Sequence, residues 1–132
     1  MFTYGTLEIE QVMRAVTRKR FAARPARLEG YARFLMVGQH YPGIVAKRGH
    51  STTGTLYLDI DQTTLGRIDR FEGRDYRRRP VMVYTEDGER LRAWTYVIQQ
   101  HRRRLLSPQP WDRERFVRKH LGAFLTSLKQ QH

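Results

Sequence analysis

Apolar positions recur along this chain in blocks whose spacing switches between helical and extended periods, and the order of the blocks predicts an architecture. Residues 2–6 open as a short strand. Ile9, Val12, Met13 and Val16 then fall at i, i+3, i+4 and i+7, one face of a helix. The basic stretch Arg18-Lys19-Arg20 and Pro25 end it. Residues 26–38 (ARLEGYARFLMVG) have strand composition and close at Gly38. Residues 41–45 (YPGIV) read as a turn and an apolar step, 46–53 (AKRGHSTT) as a surface loop, and 54–60 (GTLYLDI) as a further strand. Asp61 is placed to cap a short helix reaching about Phe71, with Gly73 suiting its left-handed end. The runs RPVMVYT and RAWTYVIQQ are two strands, and Asp87-Gly88 between them is a strong hairpin signal. The breaker SPQP at 107–110 precedes Asp112, which caps a last helix carrying Phe116, Val117, His120, Leu121, Phe124, Leu125 and Leu128 on one stripe. This succession predicts an α+β domain with a curled, mostly mixed sheet. No repeat, linker or low-complexity tract divides it, so residues 1–132 are expected to form a single domain.

Composition narrows the chemistry. With no cysteine, disulfides and thiolate nucleophiles are excluded, and a reducing, cytoplasmic setting is expected. His40, His50, His101, His120 and His132 include no close pair at metal-ligand spacing, which disfavours a metalloenzyme. No apolar run approaches membrane-spanning length, and the first residues lack the charged start and apolar core of a signal peptide. Lys and Arg number 25 against 13 Asp and Glu, a net charge of +12. Such a surface attracts anions, whether nucleic acid or small molecules. The basic runs 18–20, 77–79 and 102–104 are short and separate, with no aromatic-rich RNA-binding signature. If residues 77–79 lie on a strand, alternation sends them to opposite faces. Nucleic acid is therefore not expected as the main partner.

Two stretches carry candidate chemistry. Leu65, Ile68 and Glu72 stand at i, i+3 and i+7, so Glu72 projects from the same face as two core residues, with Asp69 bordering it. A carboxylate on an apolar face loses water, which raises its pKa and suits it to acid–base work near neutral pH. The plainer reading is a Glu at a helix end that turns to solvent or pairs with Arg74, Arg77 or Arg78. At the other end of the chain, Gly5-Thr6 joins a strand to a helix and leaves backbone N–H groups free to bind an anion. Gly5 would let a ligand approach the backbone, although an ordinary connection reads the same way. His120, on the apolar stripe, reads as a core histidine with a hydrogen bond, not a catalytic one. No Ser sits in a G-x-S-x-G turn. What remains is proton shuttling around a bound anion.

These motifs (FTYGTL, YPGIV, GTLY and L-x-x-I-D-x-F-E-G-x-x-Y-x-R, in order) resemble the γ-glutamylcyclotransferase-like superfamily. Within it they are similar to the γ-glutamylamine cyclotransferases and the plant avirulence-induced-gene proteins (AIG2-like). The tail bearing Trp111, Phe116, His120 and Phe124 is similar too. The resemblance implies a compact mixed β-barrel flanked by helices, with a cavity at one mouth. It implies that Tyr4, Gly5, Thr6 and Leu7 contact a γ-glutamyl substrate and that Glu72 is the catalytic glutamate. By the same resemblance Tyr76 lines the pocket, and Tyr41, Pro42 and Gly43 form its rim. The implied reaction releases a free amine and 5-oxoproline from a small γ-glutamyl-amine substrate, with no metal or organic cofactor. A non-catalytic binder of a small ligand or of nucleic acid on the same fold is the alternative, and the amine and the oligomeric state stay open. The chain departs from some relatives in carrying Glu8-Ile9-Glu10 where they have a basic, glycine-containing loop. Both glutamates are expected to point outward.

Overall fold

In the computed structural model, which describes residues 1–131, nine elements follow one another. They are β1 (Phe2–Thr3), α1 (Glu10–Thr17), β2 (Ala23–Leu35), β3 (Pro42–Tyr57), α2 (Gln62–Glu72), β4 (Tyr76–Thr85), β5 (Arg90–Ile98), α3 (Arg113–Lys119) and α4 (Leu121–Gln131). Short 3-10 turns cover Thr6–Glu8 and Gln100–Leu105. His132 lies outside the described residues.

One five-stranded sheet has the order β1-β3-β2-β4-β5. The sheet curls until its edges meet. Thr95 Oγ1 on β5 donates to the Phe2 carbonyl on β1 at 2.9 Å, and the Tyr4 hydroxyl donates to the Tyr96 carbonyl at 2.6 Å. The α+β class and the barrel-like curl agree with the sequence reading. The sheet is antiparallel throughout, however, not mixed. Short connections between β2 and β3 and between β4 and β5 can only reverse the chain.

Residues 46–53 are not a loop. They belong to β3, with Thr52 opposite Leu28 and Thr53 opposite Arg27. Their side chains are polar and mostly exposed, which makes the composition loop-like, yet β2 supplies the backbone partners that make a strand. The register shifts between Glu29 and Tyr31, where Gly30 and Gly49 both adopt positive φ (81° and 84°).

Alternation along the strands divides the apolar residues between two cores. Phe2, Leu28, Ile44, Leu56, Val83 and Val97 pack within the curl. A second core, including Leu7, Val12, Met13, Ile68, Trp111 and Phe116, lies between the sheet and the helices. The local end signals act as expected. The Asp61 side chain accepts from the Thr64 amide at 2.7 Å and pairs with Lys19 at 2.9 Å, bonds that hold its carboxyl well below the usual range. Gly73 ends α2 with φ 79°. Asp112 accepts from the Glu114 and Arg115 amides. The single C-terminal helix expected from the stripe is two helices, broken at His120 (φ −126°, ψ −17°). The break changes the phase of the stripe, and Val117 is left 42% exposed. Among the described residues no helix is long and apolar enough to cross a membrane.

Candidate active site

A cavity of about 820 Å³ opens where β1 leaves the sheet and meets the last turn of α2. Its first wall is the segment from Tyr4 to Leu7. Past β1 the chain folds into a tight turn, in which the Glu8 amide donates to the Gly5 carbonyl (3.0 Å) and the Ile9 amide to the Thr6 carbonyl (3.1 Å). Among the described residues, the Gly5, Thr6 and Leu7 amides make no hydrogen bond of their own. Gly5 itself is extended (φ −135°), so no backbone strain calls for glycine here. Space does: a Cβ would lie 2.8 Å from Cγ of Pro42. The room beside Gly5 is therefore taken by Pro42, not kept for a ligand as the sequence reading expected. Pro42 in turn accepts the Tyr76 hydroxyl at its carbonyl, 2.7 Å away. Three segments distant in sequence are locked together in this way.

A second layer holds the turn from behind. The Arg33 guanidinium donates to the carbonyls of Tyr4 (2.8 Å) and Thr53 (3.1 Å) and lies 3.8 Å from the Glu8 carboxylate. The Tyr57 hydroxyl donates to the Leu7 carbonyl at 2.7 Å. The Glu8 side chain, only 9% exposed, turns inward against Arg33, contrary to the expectation that it would face solvent. Burial raises its pKa, while Arg33 and Arg113 act against that shift. It does not line the cavity, so its charge is spent on Arg33. Glu10 does point outward, 3.8 Å from Arg20.

The opposite wall is the end of α2. Leu65 and Ile68 anchor the helix in the core, and Glu72, one turn further on, faces the cavity. The arginines that might have neutralised it are engaged or absent. Arg78 Nε lies 3.0 Å from Asp69, which also accepts the Tyr96 hydroxyl at 2.5 Å. Among the described residues the Glu72 carboxyl has neither hydrogen bond nor ion pair. Burial pushes its pKa up to about 8. The phenols of Tyr4, Tyr41, Tyr76 and Tyr96 are all held above their ordinary value, by burial first, with the Glu72 charge contributing at each.

The sign of the resulting pH dependence follows from linkage. Below about pH 4.5 the Glu72 carboxyl is protonated folded and unfolded alike, and contributes nothing. Between there and about 8 the unfolded chain gains by ionising while the folded one does not, so Glu72 subtracts stability progressively. We expect Glu72→Gln to melt at the wild-type temperature near pH 4.5 and progressively above it as pH rises towards 8. The shift corresponds to roughly 1–4 kcal/mol. Thermal denaturation across that pH range measures it, and parallel curves for the two proteins would show that the carboxyl is not desolvated.

Of the remaining expected residues, Tyr41 and Pro42 line the cavity but Gly43 does not. A Cβ at position 43 would overlap Ile98 and lie 3.2 Å from Leu106, so this glycine serves packing. Other lining residues escaped the sequence reading. Gln39 and His40 sit at the mouth, and Arg18, Arg67 and Arg70 line the far end. Phe71 and Phe124 meet edge to face (6.3 Å) as an apolar wall. For Arg67 and Arg70 a signal existed, their i, i+3 spacing on the helix that carries Glu72. His120 is no hydrogen-bonded core histidine. It is half-buried and stacks on His40, with ring centroids 3.6 Å apart and planes 11° from parallel. Burial, then His40, lowers its pKa. Among the described residues no three His, Cys, Asp or Glu side chains are grouped to hold a metal.

Residues 1–113 match the family described as gamma-glutamyl cyclotransferase, AIG2-like. AIG2-like protein D of Arabidopsis thaliana is 29% identical over 132 residues, covering 98% of this chain and 86% of that one. Protein AIG2 C of the same plant is 33% identical over 99 residues, covering 74% and 59%. A solution structure of an Arabidopsis thaliana protein superposes with a TM-score of 0.73 at 26% identity, covering 98% of this chain and 79% of that one. A structure described as a gamma-glutamyl cyclotransferase shares the fold, with a TM-score of 0.67 at 15% identity and coverage of 97% and 84%.

Proposed function

This chain belongs to the gamma-glutamyl cyclotransferase, AIG2-like family, and we propose that it cyclises a γ-glutamyl amine, releasing the free amine and 5-oxoproline, with Glu72 as general acid and base. The observation that carries this reading is a single cavity shared by an unpaired, desolvated carboxyl and a run of free main-chain amides.

The reaction needs no outside nucleophile. The substrate's own α-amino nitrogen attacks its γ-carbonyl carbon, the bond to the leaving nitrogen breaks, and protons pass from the first nitrogen to the second. An α-ammonium cannot attack until it loses a proton. A carboxyl with pKa about 8 is matched to that task, since it accepts the proton near neutrality and remains acidic enough to return it to the leaving nitrogen. Because the attack closes a five-membered ring within one molecule, most of the protein's work is to hold the folded conformer, a gain of several kcal/mol. The Gly5, Thr6 and Leu7 amides bind the substrate α-carboxylate or the oxyanion that develops at the γ-carbonyl. The buried phenols of Tyr4 and Tyr76, whose hydroxyls are tied to the Tyr96 and Pro42 carbonyls, stay neutral and shape the pocket. A cysteine-free chain suits a reducing cytoplasm.

The test is incubation with a panel of γ-glutamyl amino acids and γ-glutamyl amines, followed by mass spectrometry. The expected products are 5-oxoproline and amine in equal amounts. Glutamate in place of 5-oxoproline would make water the nucleophile and defeat the reading. A ligand retained without release would mark a binding module on this fold.

A further inference from the structure

The cavity extends well beyond what a γ-glutamyl group fills, and its far end is basic. We propose that the leaving group is itself multiply anionic, an acidic amino acid or a γ-linked glutamate oligomer, recognised by Arg18, Arg67 and Arg70. This rests on the cyclotransferase reading and deepens it.

At about 820 Å³ the cavity is of a size that accepts a whole drug-sized ligand. The γ-glutamyl end is set by the free amides on one side and Glu72 on the other, so the rest of the volume belongs to the leaving group. Its direction follows from α2. Arg70 precedes Glu72 by two residues, about 3 Å along the helix axis, and Arg67 lies about 4.5 Å further back. Arg67 and Arg70, at i and i+3, share one helix face. Arg67 Nη1 donates to the Thr17 carbonyl at 3.0 Å, which brings it beside Arg18, the residue that ends α1 with φ 62°. That bond uses one of the five guanidinium N–H groups.

The charges around this end are one-sided. Glu72 is the only acid lining the cavity, and its raised pKa leaves it largely neutral at pH 7. The nearby acids are taken up elsewhere: Asp61 by Lys19, Asp69 by Arg78 and Glu10 by Arg20. Among the described residues Arg18, Arg67 and Arg70 form no ion pair with any carboxylate. Three cations gathered without a counter-charge repel one another, and an anion placed among them relieves the repulsion. A diamine leaving group would add to it. A single carboxylate would satisfy one arginine. Two or more carboxylates match the set, and each can be gripped by a guanidinium fork. With a γ-linked oligomer the bond broken joins the first γ-carbonyl carbon to the second residue's α-nitrogen. The products are 5-oxoproline and a shorter oligomer that again begins with a γ-glutamyl unit, so the same site can shorten it stepwise.

The experiment compares kcat/KM for γ-glutamyl-glutamate, γ-glutamyl-alanine and γ-glutamyl-putrescine at low and moderate salt. We expect γ-glutamyl-glutamate to lead by about 10- to 100-fold, carried mainly by KM and shrinking as salt rises. Arg70→Gln, and more strongly Arg67→Gln with Arg70→Gln, should collapse that lead. Equal kcat/KM for the three substrates would overturn this inference and leave the cyclotransferase reading intact. Turnover of none would defeat that reading instead, and calorimetric titration of γ-glutamyl-glutamate would then decide the anion site alone. Binding lost in Arg70→Gln supports it, and binding unchanged overturns it.

Discussion

Glu72→Gln is expected to fold like the parent protein and to lose turnover by a factor of about 10² to 10⁴. The substitution keeps size and shape and removes only the ability to accept and return a proton. It should not disturb the wall it stands in, because among the described residues the carboxyl takes part in no hydrogen bond or ion pair that glutamine would break. Leu65 and Ile68, which anchor α2, are untouched. The loss should appear in kcat at least as strongly as in kcat/KM, since the proton moves only during the reaction. Initial rates on whichever γ-glutamyl compound is turned over, together with a melting curve, make the comparison. Near-normal turnover by this variant would remove Glu72 from the chemistry, and the amides of residues 5–7 do not supply a base in its place.

The largest stability effect is expected at Gly54, far from Glu72 in sequence and not among the residues lining the cavity. A Cβ there would overlap the Thr3 carbonyl oxygen and lie 2.8 Å from the Phe2 ring. Neither neighbour gives easily. Thr3 is half of a two-residue strand held on Thr55, and Phe2 is fully buried. Gly54→Ala should therefore cost about 3 kcal/mol, at the upper end for overpacking, and lower Tm by about 10 °C. The damage should reach the site as well, because β1 runs directly into Tyr4–Leu7 and positions those amides. Gly122→Ala is the control. Nothing lies within 4 Å of a Cβ at that position in α4, so it should melt at or slightly above the parent temperature. A Gly54→Ala protein melting with the control would show that β1 can move aside freely.

Legibility tracked the range of the forces involved. The cap at Asp61, the turn at Asp87-Gly88, where Gly88 takes φ 83°, and the faces of α1 and α2 are written within a few residues of one another, and all were read correctly. The stretch 46–53 was misread because its strand character comes from β2, some twenty residues earlier. The break at His120 was missed because a stripe of apolar residues carries no mark of the point where two helices change direction. Glu8 was expected outside because its neighbours along the chain are Leu7 and Ile9, while its actual partner, Arg33, arrives from another strand.

For the candidate site the division is the same. Periodicity alone put Glu72 on the face of Leu65 and Ile68, and the strand-to-helix step alone pointed to exposed amides near Gly5. Whether Glu72 would be paired was a contest among arginines that local spacing cannot decide. It went to Asp69, which holds Arg78, and the carboxyl was left alone in the cavity. Likewise Arg18 could not be grouped with Arg67 and Arg70 until α1 packed against α2. Side-chain periodicity reports which way a residue points from its own element. Burial, charge pairing and the shape of a hollow depend on elements that meet only after folding, and these alone set the pKa of an acid and the company it keeps.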